Sequence, residues 1–77
     1  MKGGSSNIDI LIGSNLRAYR IMRGMTQQKL GAAIGKSAHQ IQKYENATNR
    51  LAVSTLLDIS KVLNLPMVLF WTERRGA

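Results

Sequence analysis

Residues 26–46 constrain the fold of this chain more than any other stretch, because they carry the signals of two short helices joined by a tight turn. Leu30 and Ile34 are four residues apart, so they share one face of the first helix. Ile41 and Tyr44 are three residues apart and share one face of the second helix. The spacing therefore predicts two short amphipathic helices in succession.

A glycine and a serine mark the turn between these helices. Gly35 stands where the first helix must end, and glycine adopts the left-handed conformation without a steric penalty. Ser37 with Gln40 matches the capping box, in which each side chain bonds the other residue's backbone N–H. Gly31 costs about 1 kcal/mol relative to alanine inside a helix, which predicts that another helix passes close to it. A helix, a sharp turn and a second helix form the helix-turn-helix unit that contacts DNA.

The remaining sequence supplies three further helices and makes one small domain. We predict an all-α fold with a compact domain at residues 8–72, between a flexible tail at 1–7 and a frayed tail at 73–77. The five predicted helices lie at residues 9–23, 27–34, 38–45, 53–63 and 66–71.

The sequence signals some helix ends more clearly than others. Asn46 is predicted to end the third helix in the left-handed region, which asparagine tolerates. Ala52 is a weak N-cap, so the start of the fourth helix is poorly marked, whereas Asn64 ends that helix. The fourth helix is expected to turn an apolar face inward, with Ser60 and Lys61 outside. That face comprises Val53, Leu56, Leu57, Ile59 and Leu63.

Positive charge is concentrated in the half of the chain that holds the two short helices. The chain has 11 Lys and Arg against 4 Asp and Glu, for a net charge of +7. Between residues 14 and 50, seven of these cations face a single acid, Glu45. Nucleic acid is the natural polyanion for such a patch, although a solvated basic surface that aids solubility is the plain alternative.

Glu45 lies on the helix predicted to contact DNA, where an unpaired carboxylate would repel phosphate. Arg20 on the first helix is the expected partner, and the pair would also fasten the first helix to the third. Arg17 and Arg23, at three-residue spacing on either side of Arg20, are expected on a solvated face.

The DNA-contacting side chains are expected on the face of the third helix opposite Ile41 and Tyr44. Lysine favours guanine, glutamine favours adenine, and alanine contacts a thymine methyl group. Residues at a helix start enter the groove deepest, which favours Ala38, His39 and Lys43 as base contacts, with Gln42 as a further candidate. Predicted phosphate contacts come from the second helix start, the third helix start and the loop after it. They are Gln27, Ser37, Gln40, Asn46, Thr48, Asn49 and Arg50.

Other function classes find little support in the composition. One His, four acids and no Cys leave no constellation for acid–base or nucleophilic catalysis, so we expect no enzyme and no cofactor. The single histidine, His39, lacks companions for a metal site. No apolar run is long enough to span a bilayer and no signal peptide is evident, which predicts a cytoplasmic protein.

Residues 66–71 form an apolar segment that one small helix cannot hide on one side. Part of it is expected to cap the core. The rest is a candidate homodimer surface formed by Met67, Phe70 and Trp71, because aromatic and Met residues are enriched at interface cores.

The order of these elements resembles the Cro/phage-repressor (Xre) helix-turn-helix family over roughly residues 8–71. It is most similar to the subset with Gln-x-Gln-Lys-Tyr-Glu, here residues 40–45, followed by Asn49-Arg50. The other matching residues are Gly24-Met25-Thr26-Gln27, Leu30-Gly31, Ile34-Gly35 and Leu63-Asn64-Leu65-Pro66.

The resemblance implies a lambda-repressor-like domain of five helices, a symmetric dimer and an operator bound in the major groove. It also implies that Gln27 and the loop residues bind phosphate, that Ala38, His39 and Lys43 contact bases, and that Arg20 pairs with Glu45. Lys29 departs from the family, which commonly has an acid there, and Gly31 replaces a more usual alanine.

The leading interpretation is a sequence-specific DNA-binding regulator, a repressor, that binds a pseudo-palindromic operator as a dimer. The alternative is an antitoxin or adaptor of the same fold, which binds a toxin through Phe70, Trp71 and the C-terminal tail and autoregulates its operon. A toxin-type gene beside this one would favour the alternative.

Overall fold

The computed structural model describes residues 6–74, which form four α-helices followed by one 3₁₀ helix. The α-helices are α1 (Asn7–Met22), α2 (Gln27–Ile34), α3 (Ala38–Glu45) and α4 (Val53–Leu63). The all-α prediction is confirmed, but the fifth element, Met67–Trp71, is a 3₁₀ helix. None of the helices among residues 6–74 is long and apolar enough to cross a membrane.

The first helix begins two residues earlier than predicted. Ser6 is its N-cap and forms a full capping box with Asp9: Ser6 Oγ accepts from the Asp9 backbone N–H at 3.2 Å, and the Ser6 backbone N–H donates to Asp9 Oδ2. Asn7 therefore belongs to α1 and Ser6 caps it, although we assigned both residues to a tail. The rest of that predicted tail, residues 1–5, lies outside the described residues, as do residues 75–77.

The turn between α2 and α3 follows the sequence signals closely. Gly35 is left-handed at φ 74°, and Ser37 Oγ accepts the Gln40 backbone N–H at 3.0 Å. The reciprocal half of this capping box, from the Gln40 side chain, is not formed within the described residues. A Cβ on Gly31 would lie 2.5 Å from the Lys36 carbonyl oxygen, so the turn itself requires this glycine, rather than another helix.

The ends of α3 and α4 differ in how they stop. Asn46 closes α3 at φ −88°, and the left-handed residue is the next one, Ala47, at φ 60°. The prediction for Asn46 was therefore wrong by one position. Ala52 gives α4 no side-chain cap, whereas Asn64 ends α4 in the left-handed region, as its sequence predicts.

The core lies where the four α-helices and the 3₁₀ helix meet. Phe70 is fully buried and packs edge-on against the ring of Tyr19, with centroids 5.7 Å apart. On α4, Val53 and Leu57 are exposed and Ser60 is buried, with its hydroxyl donating to the Leu57 carbonyl at 2.7 Å. The α4 face was thus predicted too broadly. The buried cluster comprises Leu16, Leu30, Ile41, Tyr44, Leu56, Ile59, Leu63 and Phe70.

Candidate nucleic-acid interface

Helix α3 presents one face to the core and the opposite face to solvent. Ile41 is fully buried and Tyr44 nearly so, which holds the helix against α1 and α2. His39 and Gln42 are exposed and Lys43 is half-buried, and their spacing of three and four residues places them on one side of the helix. Ala38, at the first position after the Ser37 cap, is also half-buried. The side chains predicted to contact bases therefore lie together on one surface.

Arg20 and Glu45, expected to pair, are joined by two hydrogen bonds across the α1–α3 interface. Arg20 Nε donates to Glu45 Oε2 at 2.5 Å, and a terminal Arg20 nitrogen donates to Oε1 at 3.1 Å. The other terminal nitrogen donates to the Met25 carbonyl at 2.8 Å, just before α2. Both partners are more than 90% buried, so the arginine ties together α1, α3 and the start of α2.

Gln27 is also part of this network, which the sequence did not predict. Its amide Nε2 donates to Glu45 Oε1 at 3.0 Å, and the side chain is half-buried rather than free in solvent. One of its two amide N–H groups is thereby used. Glu45 consequently fixes the side chain at the start of α2, beside the backbone N–H groups that favour anions at a helix N-terminus.

The loop after α3 folds back onto that helix. The backbone N–H groups of Thr48 and Asn49 both donate to the Lys43 carbonyl, at 2.9 and 3.3 Å. The exposed side chains of Asn46, Thr48 and Asn49 flank the end of the helix. Arg50 is exposed and its Nε lies 3.3 Å from Asp9 Oδ2 on α1. The predicted phosphate-binding loop is therefore held next to α3 at one end and next to the start of α1 at the other.

On this surface the carboxylates are neutralised by neighbouring groups, so positive charge predominates. Glu45 is bound by Arg20, and Asp9 is held by Ser6 and Arg50. Hydrogen bonds from the Ser6 side chain, with the Arg50 charge as a smaller cause, lower the pKa of Asp9 below its ordinary value. Lys29 on α2 and Lys36 in the turn between α2 and α3 are exposed. The arrangement suits binding of a polyanion. No group of potential metal ligands lies among residues 6–74.

A model of the helix-turn-helix family matches residues 16–70, which span the buried cluster, the helix pair α2–α3 and the loop after α3. The chain belongs to the Xre-type helix-turn-helix family. Its resemblance to that family, inferred from the motif residues, is thereby confirmed.

Members of this helix-turn-helix family and solved structures of the same fold agree with the assignment. A protein of Sinorhizobium medicae (strain WSM419), described as an uncharacterized HTH-type transcriptional regulator, is 48% identical over 69 residues, covering 90% of this chain and 50% of the relative. The chain thus spans about half the length of that relative. The restriction-modification controller protein C.AhdI from Aeromonas hydrophila superposes with a TM-score of 0.75 at 18% identity, over 79% of this chain and 88% of that one. The DNA-binding domain of BldD gives a TM-score of 0.78 at 20% identity, over 88% and 99%.

Three residues that support this helix-turn-helix surface were not predicted. A Cβ on Gly13 would lie 2.5 Å from the Tyr44 carbonyl oxygen, so this glycine lets α1 press against the end of α3. Arg23, expected on a solvated face, donates from Nε to the Leu63 carbonyl at 2.8 Å and thereby caps the end of α4. Asn15 is fully buried and binds the C-terminal segment. Two of these residues had a signal in the sequence: Gly13 is a glycine inside the predicted first helix, and Arg23 is a cation at the end of that helix.

Proposed function

We propose that this chain is a sequence-specific DNA-binding regulator that represses transcription, with α3 in the major groove. One observation carries the proposal: the only acid on α3, Glu45, is buried against Arg20 and Gln27, while the opposite face of α3 is exposed and rich in hydrogen-bonding side chains. Because the carboxylate is neutralised inside the protein, it does not repel the phosphates that α3 would approach.

Two groups of side chains have different proposed tasks. Ala38, His39 and Lys43, with Gln42 beside them, contact base edges and supply sequence preference. Phosphate contacts supply affinity and register, from Gln27 and from the caps and loop around α3. Those cap and loop residues are Ser37, Gln40, Asn46, Thr48, Asn49 and Arg50. No catalytic step and no cofactor enter this function, and we place the protein in the cytoplasm with its DNA.

We also propose a homodimer, with a contact surface revised from the sequence-based one. In a 3₁₀ helix side chains three residues apart lie on the same side. Phe70 is fully buried and Met67 packs against the core, so this pair faces inward and Phe70 is excluded as an interface residue. Val68 and Trp71 form the other side and are 50% and 42% exposed. Two copies joined there would contact half-sites about 34 Å apart, one turn of DNA.

The proposal is tested by selecting binding sites from a pool of random duplexes. A palindromic enriched sequence is expected. If each half-site neutralises about 3–4 phosphates, log affinity for that site should fall with log salt at a slope of roughly −6. A reporter whose promoter overlaps the site should be repressed. A pool without enrichment contradicts the proposal and favours the protein-binding alternative, an antitoxin or adaptor.

The division of tasks makes a separate prediction for two cations. Lys43→Ala should relax base preference at one position of each half-site by about 1–3 kcal/mol, because it removes a base contact. Arg50→Ala should weaken all sequences alike and reduce the salt slope by about 1 for each half-site. Lys61→Ala, which removes an exposed lysine from α4, is the matched control and should leave both quantities unchanged. Identical effects of the first two variants on the enriched sequence would overturn the division.

A further inference from the structure

Asn15 is a polar side chain with no exposed surface, and it is bound almost entirely to the far end of the chain. Its amide Nδ2 lies 2.9 Å from the Phe70 carbonyl oxygen, 3.0 Å from that of Thr72 and 3.2 Å from that of Leu69. Its Oδ1 accepts from Arg74 Nε at 2.7 Å. One amide on α1 therefore holds the 3₁₀ helix and the residues that follow it.

These bonds determine which side of the 3₁₀ helix faces solvent. The carbonyls held by Asn15 belong to the backbone of the segment itself, so the segment cannot turn about its axis without breaking them. With that rotation fixed, Phe70 points into the core and Trp71 points outward. The exposed pair Val68 and Trp71 is thus presented in one orientation.

Helix α1 also fixes the position of α3. Gly13 allows α1 to approach the Tyr44 and Glu45 carbonyls, and Arg20 binds the Glu45 carboxylate. Asn15 lies between these two contacts on the same helix. A single rigid element consequently connects the proposed DNA-contacting helix with the proposed dimer surface.

We propose that Asn15 is a positioning residue that sets the dimer surface relative to α3, and so sets the spacing of the two DNA-contacting helices in the dimer. The inference rests on the proposed function, because it assigns this residue a task in binding two half-sites. An apolar side chain buried at this position would also hold the segment against α1, but it would not fix the rotation of the segment about its own axis. Satisfied hydrogen bonds from a buried amide select one orientation.

The test compares duplexes that carry one or two half-sites of the selected sequence. Asn15→Ala should bind a single half-site within about twofold of wild type, and should lose tenfold or more affinity for the paired site. Asn15→Asp keeps an acceptor for Arg74 but has no N–H for the carbonyls, so it should behave like Asn15→Ala. Arg74→Ala removes the bond to Oδ1 and a bond to the Ser14 hydroxyl but leaves the bonds from Asn15 to the carbonyls, so it is the matched control, with near wild-type binding to both duplexes.

A double-mutant cycle distinguishes positioning from a general loss of stability. Trp71→Ser removes the surface directly, without touching Asn15. If Asn15 acts through that surface, the double variant should bind the paired site no more weakly than the worse single variant.

The inference is overturned by equal losses on single and paired half-sites, or by additive losses in the double variant. Loss of helical circular dichroism in Asn15→Ala, together with loss of single half-site binding, also overturns it, because Asn15 would then support the whole domain. Wild-type protein that binds no duplex defeats the proposed function itself and is a distinct result. Variants that change single half-site affinity alone likewise count against the inference.

Discussion

Two single residues, both glycines, determine how closely the helices approach one another. Gly13 brings α1 against the carbonyl end of α3, and Gly31 brings α2 against the turn that precedes α3. At both positions an added Cβ would meet backbone oxygen at 2.5 Å, and backbone cannot move aside as a flexible side chain can. The DNA-contacting helix is therefore seated between two close backbone contacts.

Gly31→Ala should lower the free energy of unfolding by about 1–3 kcal/mol, as overpacking does. Helix propensity alone predicts the opposite sign, a gain of about 1 kcal/mol, so the sign tests the contact. Ala32→Gly at the exposed neighbouring position is the control, and it should cost about 1 kcal/mol from propensity alone. Urea denaturation of both variants provides the measurement. A stabilised Gly31→Ala protein would show that the turn yields at little cost.

Some contacts of single residues were predictable from the sequence and others were not. Glu45 was the only acid among the cations of residues 14–50, so a cationic partner was expected, and Arg20 is that partner. The bond from Gln27 to Glu45 was missed because it depends on the angle between α2 and α3, which periodicity does not give. The same holds for Arg50 and Asp9, which are 41 residues apart in the chain.

The helices differ in how well their ends are fixed. Ser6, Thr26 and Ser37 each accept a backbone N–H from the first turn of a helix. The Ser37 cap was predicted because a cap residue acts locally, whereas Ser6 was assigned to a tail and its cap was missed. The C-terminal element was harder to predict. Its five consecutive apolar residues fit either helix period, and the bonds that Asn15 makes to its carbonyls come from a distant part of the chain.

Helix α4 offers the clearest opportunity for stabilisation, because its N-cap residue is Ala52 and makes no side-chain hydrogen bond. The backbone there is already extended, at φ −69° and ψ 150°, as an N-cap requires. Ala52→Ser should add about 1 kcal/mol to the free energy of unfolding and raise Tm by about 4–8 °C. Ser37→Ala should lose a similar amount, since it removes an existing cap. An unchanged Tm for Ala52→Ser would indicate that the first turn of α4 is satisfied in another way.

The whole molecule carries a net charge of +7 with only four acids, so each carboxylate matters to its balance. Two of them are committed to holding elements together: Glu45 joins α3 to α1, and Asp9 joins the start of α1 to the loop after α3. The concentration of positive charge in one half was evident from the sequence. The pairing of Glu45 with Arg20 was also expected from the sequence, whereas the pairing of Asp9 with Arg50 required the fold.

Lowering the pH should decrease the free energy of unfolding of the domain, in part through protonation of Asp9. Hydrogen bonds from Ser6, aided by the Arg50 charge, lower the pKa of Asp9 in the folded protein. The unfolded chain then binds a proton more readily, so this stabilisation is complete above the unfolded pKa and is lost as pH falls through the folded pKa.

Asp9→Asn should be less stable than wild type at neutral pH, and the difference should shrink as the carboxyl of wild type becomes protonated. Ser6→Ala, which removes the largest cause of the shift, should flatten the pH dependence in the same range. Thermal unfolding from pH 7 down to about 2 measures both effects. A difference between wild type and Asp9→Asn that stayed constant across this range would mean that the carboxylate does not stabilise the fold through its charge.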